Sequence, residues 1–286
     1  MPETTPGAAP APSPSVQPTR APNGLSESQR RDYEEHGFVV VRGFFEAAEL
    51  EPWKRRLEAL VCGEVEIPEG MLVMRDVMVA KGFVKPTRPL EAIAKIQDFH
   101  NDPVLFDGYA KHARLLDWVA DFIGPDIKMI HNMLINKPPN VDGRHPLHQD
   151  LLYFPFRPAD RIVATWTALE PCTRQNGCLV VIPGSHKGEL LQHENPDWEH
   201  LNLAYFGAKG IGASEDRVHL EMEPGDVVFF HPILLHGSGQ NRSTGFRRAI
   251  SSHYASATCE FLPGARSVGE RRPYLIVRGR EHEGCI

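Results

Sequence analysis

The chain has 286 residues, 41% hydrophobic and 24% charged, with a formal net charge of -6, enough to bury a full core as one large domain or two small ones. That acidic balance, without any lysine or arginine block, excludes the basic footprint of a nucleic-acid binder. No apolar stretch approaches the ~20 residues of a membrane span, and five scattered cysteines without a Cys-x-x-Cys pair (Cys62, Cys172, Cys178, Cys259 and Cys285) point to free thiols in a reducing compartment.

Residues 1–24 hold seven prolines among Ala, Ser, Thr and Gly, with Arg20 as the one base. This composition predicts a disordered Pro/Ala-rich leader and fits neither a signal peptide nor an anchor. The ending Gly284-Cys285-Ile286 matches neither a peroxisomal address nor a prenylation site, so the expected location is cytoplasmic, with a peroxisome left open. Residues 25–286 read as a single domain. Ser26 or Ser28 caps a short polar helix ending at Gly37, and Phe38-Val39-Val40-Val41 predicts a buried strand. Leu50, Trp53, Leu57, Leu60 and Val61 fall at helical spacing before Gly63, as do Leu115, Leu116, Trp118, Val119, Phe122 and Ile123 before Gly124-Pro125.

Beyond that point, β-branched and aromatic runs alternate with Gly, Pro and Asn turns. Strands are predicted over Lys128–Asn136, His148–Phe154, Ile162–Leu169, Cys178–Ile182, Val218–Met222, Asp226–Phe230, Leu234–Ser238 and Phe246–Tyr254. Eight strands suit a jelly roll of the cupin type with flanking helices, a mainly β (α+β) fold. The polar stretch from Lys187 to Asp216 reads as an insertion carrying some helix.

Within this frame His148-Gln149-Asp150 is the feature that carries chemistry. Two imidazoles and a carboxylate suit a non-haem Fe(II) with positions left open, and residues i and i+2 of a strand share a face. Short motifs recur by chance, and a second His-x-Asp, His100-Asn101-Asp102, runs into Pro103 as a helix cap should. Downstream, His236 and Ser238 share a face, and the polar turn Gln240–Gly245 predicts a hairpin that brings an arginine beside Ser238. An arginine fork takes a carboxylate in two parallel hydrogen bonds. Pattern alone leaves Arg247 against Arg248 open, and His231 against His236 as third ligand. His145 reads as a turn residue or as support for the ligands, and Pro224-Gly225-Asp226 as a tight turn.

Val73-Met74-Arg75-Asp76-Val77, Met133 through Pro139, Arg144 through Asp150, Tyr153 through Pro158, Asn176 through Val181, and Phe229 through Asn241 together resemble the phytanoyl-CoA dioxygenase family, from about Leu25 to at least Ala257. The match thins between Pro139 and Arg144 and from Gly188 to Asp216. The resemblance implies a double-stranded β-helix and an Fe(II)- and 2-oxoglutarate-dependent dioxygenase using O₂, with ascorbate as reductant. It makes His148, Asp150 and His236 the catalytic iron ligands. Arg247 with Ser238 becomes the grip on the distal carboxylate of 2-oxoglutarate, and Lys95, Met133 and Trp166 line the same pocket. It further implies hydroxylation at carbon 2 of a methyl-branched or long-chain acyl-CoA such as phytanoyl-CoA, with release of succinate and CO₂. The sequence leaves two rivals: a hydroxylase of the same mechanism acting on a free acid or secondary metabolite, and a cupin-like binding protein that keeps a metal without turnover.

Overall fold

The computed structural model describes residues 24–139, 141–200, 202–212, 216–265 and 274–286; the expected leader, Gly24 apart, lies outside them. Ser26 caps α1 (Glu27–His36): its hydroxyl accepts from the Gln29 N–H while the Gln29 side chain accepts from the Ser26 N–H. Both ends of this helix are therefore satisfied by short-range chemistry, since Gly37 closes it at φ 83°. After β1 (Phe38–Val41), α2 (Ala47–Cys62) buries Leu50, Trp53, Leu57 and Leu60 and ends at Gly63. Next come β2 (Leu72–Arg75), the short α3 (Val77–Ala80) and β3 (Ile93–Gln97). Asp102 caps a wide helical segment, Pro103–Ala110, by accepting from the Val104 and Leu105 N–H groups, and pairs with Arg56 at 2.8 Å. The second His-x-Asp is thus structural, as its Pro103 implied. α4 (Ala113–Ile123) buries Leu115, Leu116, Trp118, Val119 and Ile123, side chains whose burial stabilises the fold by about 1.5–3 kcal/mol each.

The remaining chain is β-structure: β4 (Ile127–Lys137), β5 (His145–His148), β6 (Phe156–Arg157), β7 (Ile162–Ala168), β8 (Leu179–Val181), β9 (His193–Glu194), β10 (Gly207–Ala208), β11 (Val218–Leu220), β12 (Val227–Phe230), β13 (His236–Ser238), β14 (Arg247–Ser256), β15 (Glu260–Phe261) and β16 (Leu275–Arg278). The eight strands expected of the jelly roll divide four and four. β12-β7-β14-β4 form the centre of a major sheet, and β11-β8-β13-β5 form the minor sheet. β1 extends the major sheet at one edge and β3-β2 at the other, while β16 adds to β4. No helix among the described residues is long and apolar enough to cross a membrane.

Three expectations need correction. The strand placed over His148–Phe154 instead ends at His148, and Asp150–Tyr153 is a 3₁₀ turn, because Leu152 and Tyr153 are exposed rather than alternating into a core. His148 and Asp150 therefore meet across a strand exit. The expected hairpin between Leu234–Ser238 and Phe246–Tyr254 does not pair: β13 bonds to β5 and β8, and β14 to β4 and β7. In a jelly roll these successive strands belong to opposite sheets. Among its described residues the Lys187–Asp216 insertion carries the β9–β10 pair and no helix beyond the single turn Ser185–Lys187.

Alternation along β4 and β14 sets the two faces of the major sheet. Arg247 faces Lys137, Ala249 faces Ile135 and Ser251 faces Met133 in register, and Lys137, Ile135, Met133 and Arg247 turn into the space between the sheets. The intervening Leu134 and Ile250 pack on the helices, where Trp118 stacks on Phe229 at 5.5 Å. Tyr109 ties this outer layer to the sheet: its hydroxyl meets Thr167 Oγ1 at 2.9 Å and Thr165 Oγ1 at 3.2 Å, and donates to the Ile250 carbonyl at 3.1 Å. Tyr109→Phe leaves those partners buried and is expected to cost about 1–3 kcal/mol. The check is a lower denaturant midpoint at unchanged slope, with metal affinity unaffected because Tyr109 lies on the far face.

Candidate active site

His148 and His236 are cross-strand partners in the minor sheet, which sets their rings side by side at 4.2 Å. Each ring donates its Nδ1–H to a backbone carbonyl, His148 to Pro146 at 2.9 Å and His236 to Leu234 at 3.0 Å. That fixes the tautomer and leaves both Nε2 lone pairs directed into the site. Asp150 reaches the same point from the 3₁₀ turn, its Oδ1 lying 3.2 Å from His148 Nε2 and 3.7 Å from His236 Nε2. The three candidate donor atoms lie within 4.8 Å of one another and all three residues are buried.

Protonation states suit a cation. Burial pushes His236 down to about 4, against the pull of the Asp150 carboxylate. Burial alone raises Asp150, but the neighbouring His236 and His253, with the hydrogen bond from His253, hold its carboxyl well below the usual range. An anionic carboxylate beside a neutral imidazole is the state a divalent metal requires. His253, reaching across from β14, donates to Asp150 Oδ2 at 2.8 Å. Only Oδ1 is then left facing the two histidines. His231, the alternative third ligand, is committed elsewhere: its ring meets Asp160 at 3.1 Å and accepts from the Ile233 N–H.

The cluster sits between two cavities that share Lys95, Met133, His145, His148 and Tyr205. The smaller, about 90 Å³, also takes in His236, Trp166, Ser238 and Arg247, while Asp150 lines the larger, so the residues singled out by sequence fall on two adjoining cavities. Arg247 is only 2% exposed. Its guanidinium lies 5.4 Å from the Trp166 ring centre, its Nε donates to the Gly177 carbonyl at 3.1 Å, and its Nη1 is buried without a partner among the described residues. A buried, unsatisfied charged donor is costly, and a carboxylate arriving from the cavity satisfies it. Arg248 points the other way, to Asn136 and Glu58. Geometry thus separates the two arginines that the sequence pattern left equivalent. Lys95, 3.7 Å from Met133 Sδ, lies over the Tyr205 ring at 5.2 Å.

Gly177 has a stereochemical reason to be glycine. It has φ +83°, and a Cβ there meets the Gly239 carbonyl at 2.5 Å and Lys137 Nζ at 3.1 Å. Gly177→Ala is expected to displace the carbonyl that Arg247 holds and to weaken 2-oxoglutarate binding about tenfold, the weight of one hydrogen bond to a charged group. Titration of the anaerobic enzyme with 2-oxoglutarate checks this.

The larger cavity, about 240 Å³, lies on the Asp150 side, where Met74, Ile130, Phe154 and Tyr274 mix with Gln97, His131 and Tyr153. Sequence reasoning missed His253, Tyr205 and Lys137. His253 lay in a strand read for its apolar pattern, and Lys137 one residue beyond the predicted end of β4. Tyr205 lies in the insertion, where its ring meets His145 at 4.1 Å in a tilted arrangement, and nothing in its sequence neighbourhood marks it.

Comparison with known proteins agrees with this geometry. The model of the family described as phytanoyl-CoA dioxygenase (PhyH) matches residues 33–249. The chain is 51% identical over 248 residues to a probable phytanoyl-CoA dioxygenase of Caenorhabditis elegans, covering 84% of this chain and 78% of that protein. It is 48% identical over 244 residues to the peroxisomal phytanoyl-CoA dioxygenase of Homo sapiens, covering 84% and 71%. Among solved structures, the epimerase SnoN in complex with Fe³⁺, α-ketoglutarate and nogalamycin RO is similar with a TM-score of 0.64 over 91% of this chain and 96% of that one. At 19% identity this last likeness is one of fold alone. Family model, close relatives and the buried two-histidine, one-carboxylate cluster converge: the chain belongs to the phytanoyl-CoA dioxygenase family.

Proposed function

We propose that this chain is an Fe(II)- and 2-oxoglutarate-dependent dioxygenase that hydroxylates carbon 2 of a methyl-branched or long-chain acyl-CoA, phytanoyl-CoA being the substrate its relatives' names suggest. The observation that carries this reading is that the cavity lined by His148 and His236 of the His148–Asp150–His236 cluster also holds Arg247, whose Nη1 has no partner among the described residues. A metal at one end and a cation at the other match a molecule that is a 2-oxo acid at one end and a carboxylate at the other.

His148, Asp150 and His236 hold the ion, three donors leaving positions open. Bound iron with 2-oxoglutarate and O₂ supplies the oxidation, one oxygen atom ending in succinate as CO₂ leaves and the other replacing a C–H hydrogen as hydroxyl. Arg247 and Ser238 bind the distal carboxylate, and the Trp166 ring, 5.4 Å from the guanidinium, backs it against the cavity wall. Met133, Lys95 and Tyr205, common to both cavities, wall off the reacting end from water. The larger cavity then receives the acyl group, with its carbon 2 beside Asp150.

The test is succinate release that depends on Fe(II), with ascorbate as reductant, measured against a panel of acyl-CoAs and the corresponding free acids. Product 16 mass units heavier from branched or long-chain thioesters supports the reading. Faster turnover of free acids moves the chain to another small-molecule substrate, and no succinate under any condition reduces it to a metal-holding binding protein. The cytoplasmic location expected from sequence stands against the peroxisomal names of the mammalian relatives, and imaging of the tagged full-length chain decides between them.

A further inference from the structure

The smaller cavity contains a second buried cation. Lys137 is the register partner of Arg247 across β4 and β14, and it is 5% exposed. Its stem packs on Gly143, and the close approach of Gly177 encloses its head. Asp142, whose field reaches Lys137, is itself gripped by Arg144 through two contacts of 2.6 Å. Burial and the adjacent Arg247 guanidinium hold the Lys137 ammonium well below the ordinary lysine value. Two desolvated cations side by side are unfavourable until an anion lies between them.

Lys137 Nζ donates to Ser238 Oγ at 2.8 Å and also to the Gly239 carbonyl. An ammonium has three donors and no acceptor, whereas a hydroxyl has one proton to give. With Oγ receiving from Nζ, the Ser238 proton cannot point back at Lys137. It turns into the cavity that Ser238 shares with Arg247.

We propose that Lys137 is a positioning residue for co-substrate binding: it orients the Ser238 hydroxyl so that Ser238 and Arg247 donate together to the distal carboxylate of 2-oxoglutarate. Resting on the co-substrate reading of this cavity, the proposal adds a group that acts through Ser238 rather than on the ligand. It explains why a lysine, and not an apolar residue, ends a strand beside a cavity that no carboxylate lines among the described residues.

The test is a double-mutant cycle read by calorimetric binding of 2-oxoglutarate to the Fe(II)-loaded, anaerobic enzyme, with iron affinity measured alongside. Lys137→Met and Ser238→Ala are each expected to weaken 2-oxoglutarate about tenfold, and the double variant to lie within about twofold of the weaker single one, because residues acting through one path are not additive. Lys137→Gln, which keeps a donor to Ser238, is expected to recover all but about threefold of the loss. Iron affinity stays at the wild-type value throughout. If Lys137→Met does not fold, Lys137→Gln takes its place in the cycle, its smaller loss disappearing in the Ser238→Ala background. A loss near a hundredfold in the double variant overturns the proposal in favour of independent contacts, as does an unchanged constant in the Lys137 variants. A wild-type enzyme that binds iron but no 2-oxoglutarate overturns the co-substrate reading itself, and the two failures are thereby told apart.

Discussion

Asp150→Ala is expected to abolish turnover, by at least about a thousandfold, together with stable metal binding. Groups that merely support metal ligands are worth roughly 10–100-fold in affinity or activity, so loss of a direct anionic donor costs more. The position is unusually exposed to substitution because Asp150 is where the two sheets meet. Its Oδ1 faces the histidines of the minor sheet, while Oδ2 is held at 2.8 Å by His253 of the major sheet. Truncation removes the negative charge of a buried cluster and leaves two imidazoles whose Nδ1–H bonds prevent them from turning to compensate. Calorimetric titration with Mn(II) in place of Fe(II), alongside a melting curve to show that the fold persists, separates lost metal from lost structure. Tight metal binding in the folded variant removes Asp150 from the ligand set.

The centre of the major sheet was legible because β4, β7 and β12 cross a layer covered on both faces, which leaves apolar or β-branched runs. β7, buried along its whole length, is the clearest instance. The extra strands were not: β2 is half exposed and ends in Met74-Arg75, and at a sheet edge one face has no core to demand apolar residues. The His148–Asp150 spacing was the right signal for an incomplete reason. A two-residue step puts side chains on one face of a strand, but here the strand stops at His148 and the turn carries Asp150 round to the metal point. Ser238 and Arg247 were expected together through a hairpin; they meet instead because opposite sheets present them to one cavity. Distances between sheets leave no periodic trace, which is also why the burial of Lys137 and the reach of His253 were invisible to pattern. The separations of Arg247 from Arg248 and of His236 from His231 came from family resemblance first and then from coordinates.

Arg247→Met is expected to raise the 2-oxoglutarate dissociation constant by about a hundredfold or more while iron binding is retained, since a two-pronged bond to a carboxylate places two charge-assisted hydrogen bonds in a water-free pocket. The side chain is 2% exposed, its Nη1 has no partner among the described residues, and its Nε already gives its proton to Gly177. The terminal nitrogens are therefore what the cavity offers a ligand. Arg247→Lys is expected to recover little, because a point charge on a flexible stem neither stacks on Trp166 nor supplies two parallel donors. The neighbouring residue provides the control. Arg248 is also buried, yet it spends its donors on Asn136 and Glu58 across the other face of the sheet, so Arg248→Met is expected to lower stability and leave the 2-oxoglutarate constant near the wild-type value. Measured side by side under anaerobic conditions, the two substitutions differ by one step along a single strand. A constant that moves with Arg248 and not with Arg247 reverses the assignment, because one residue along β14 is the whole distance between the two faces.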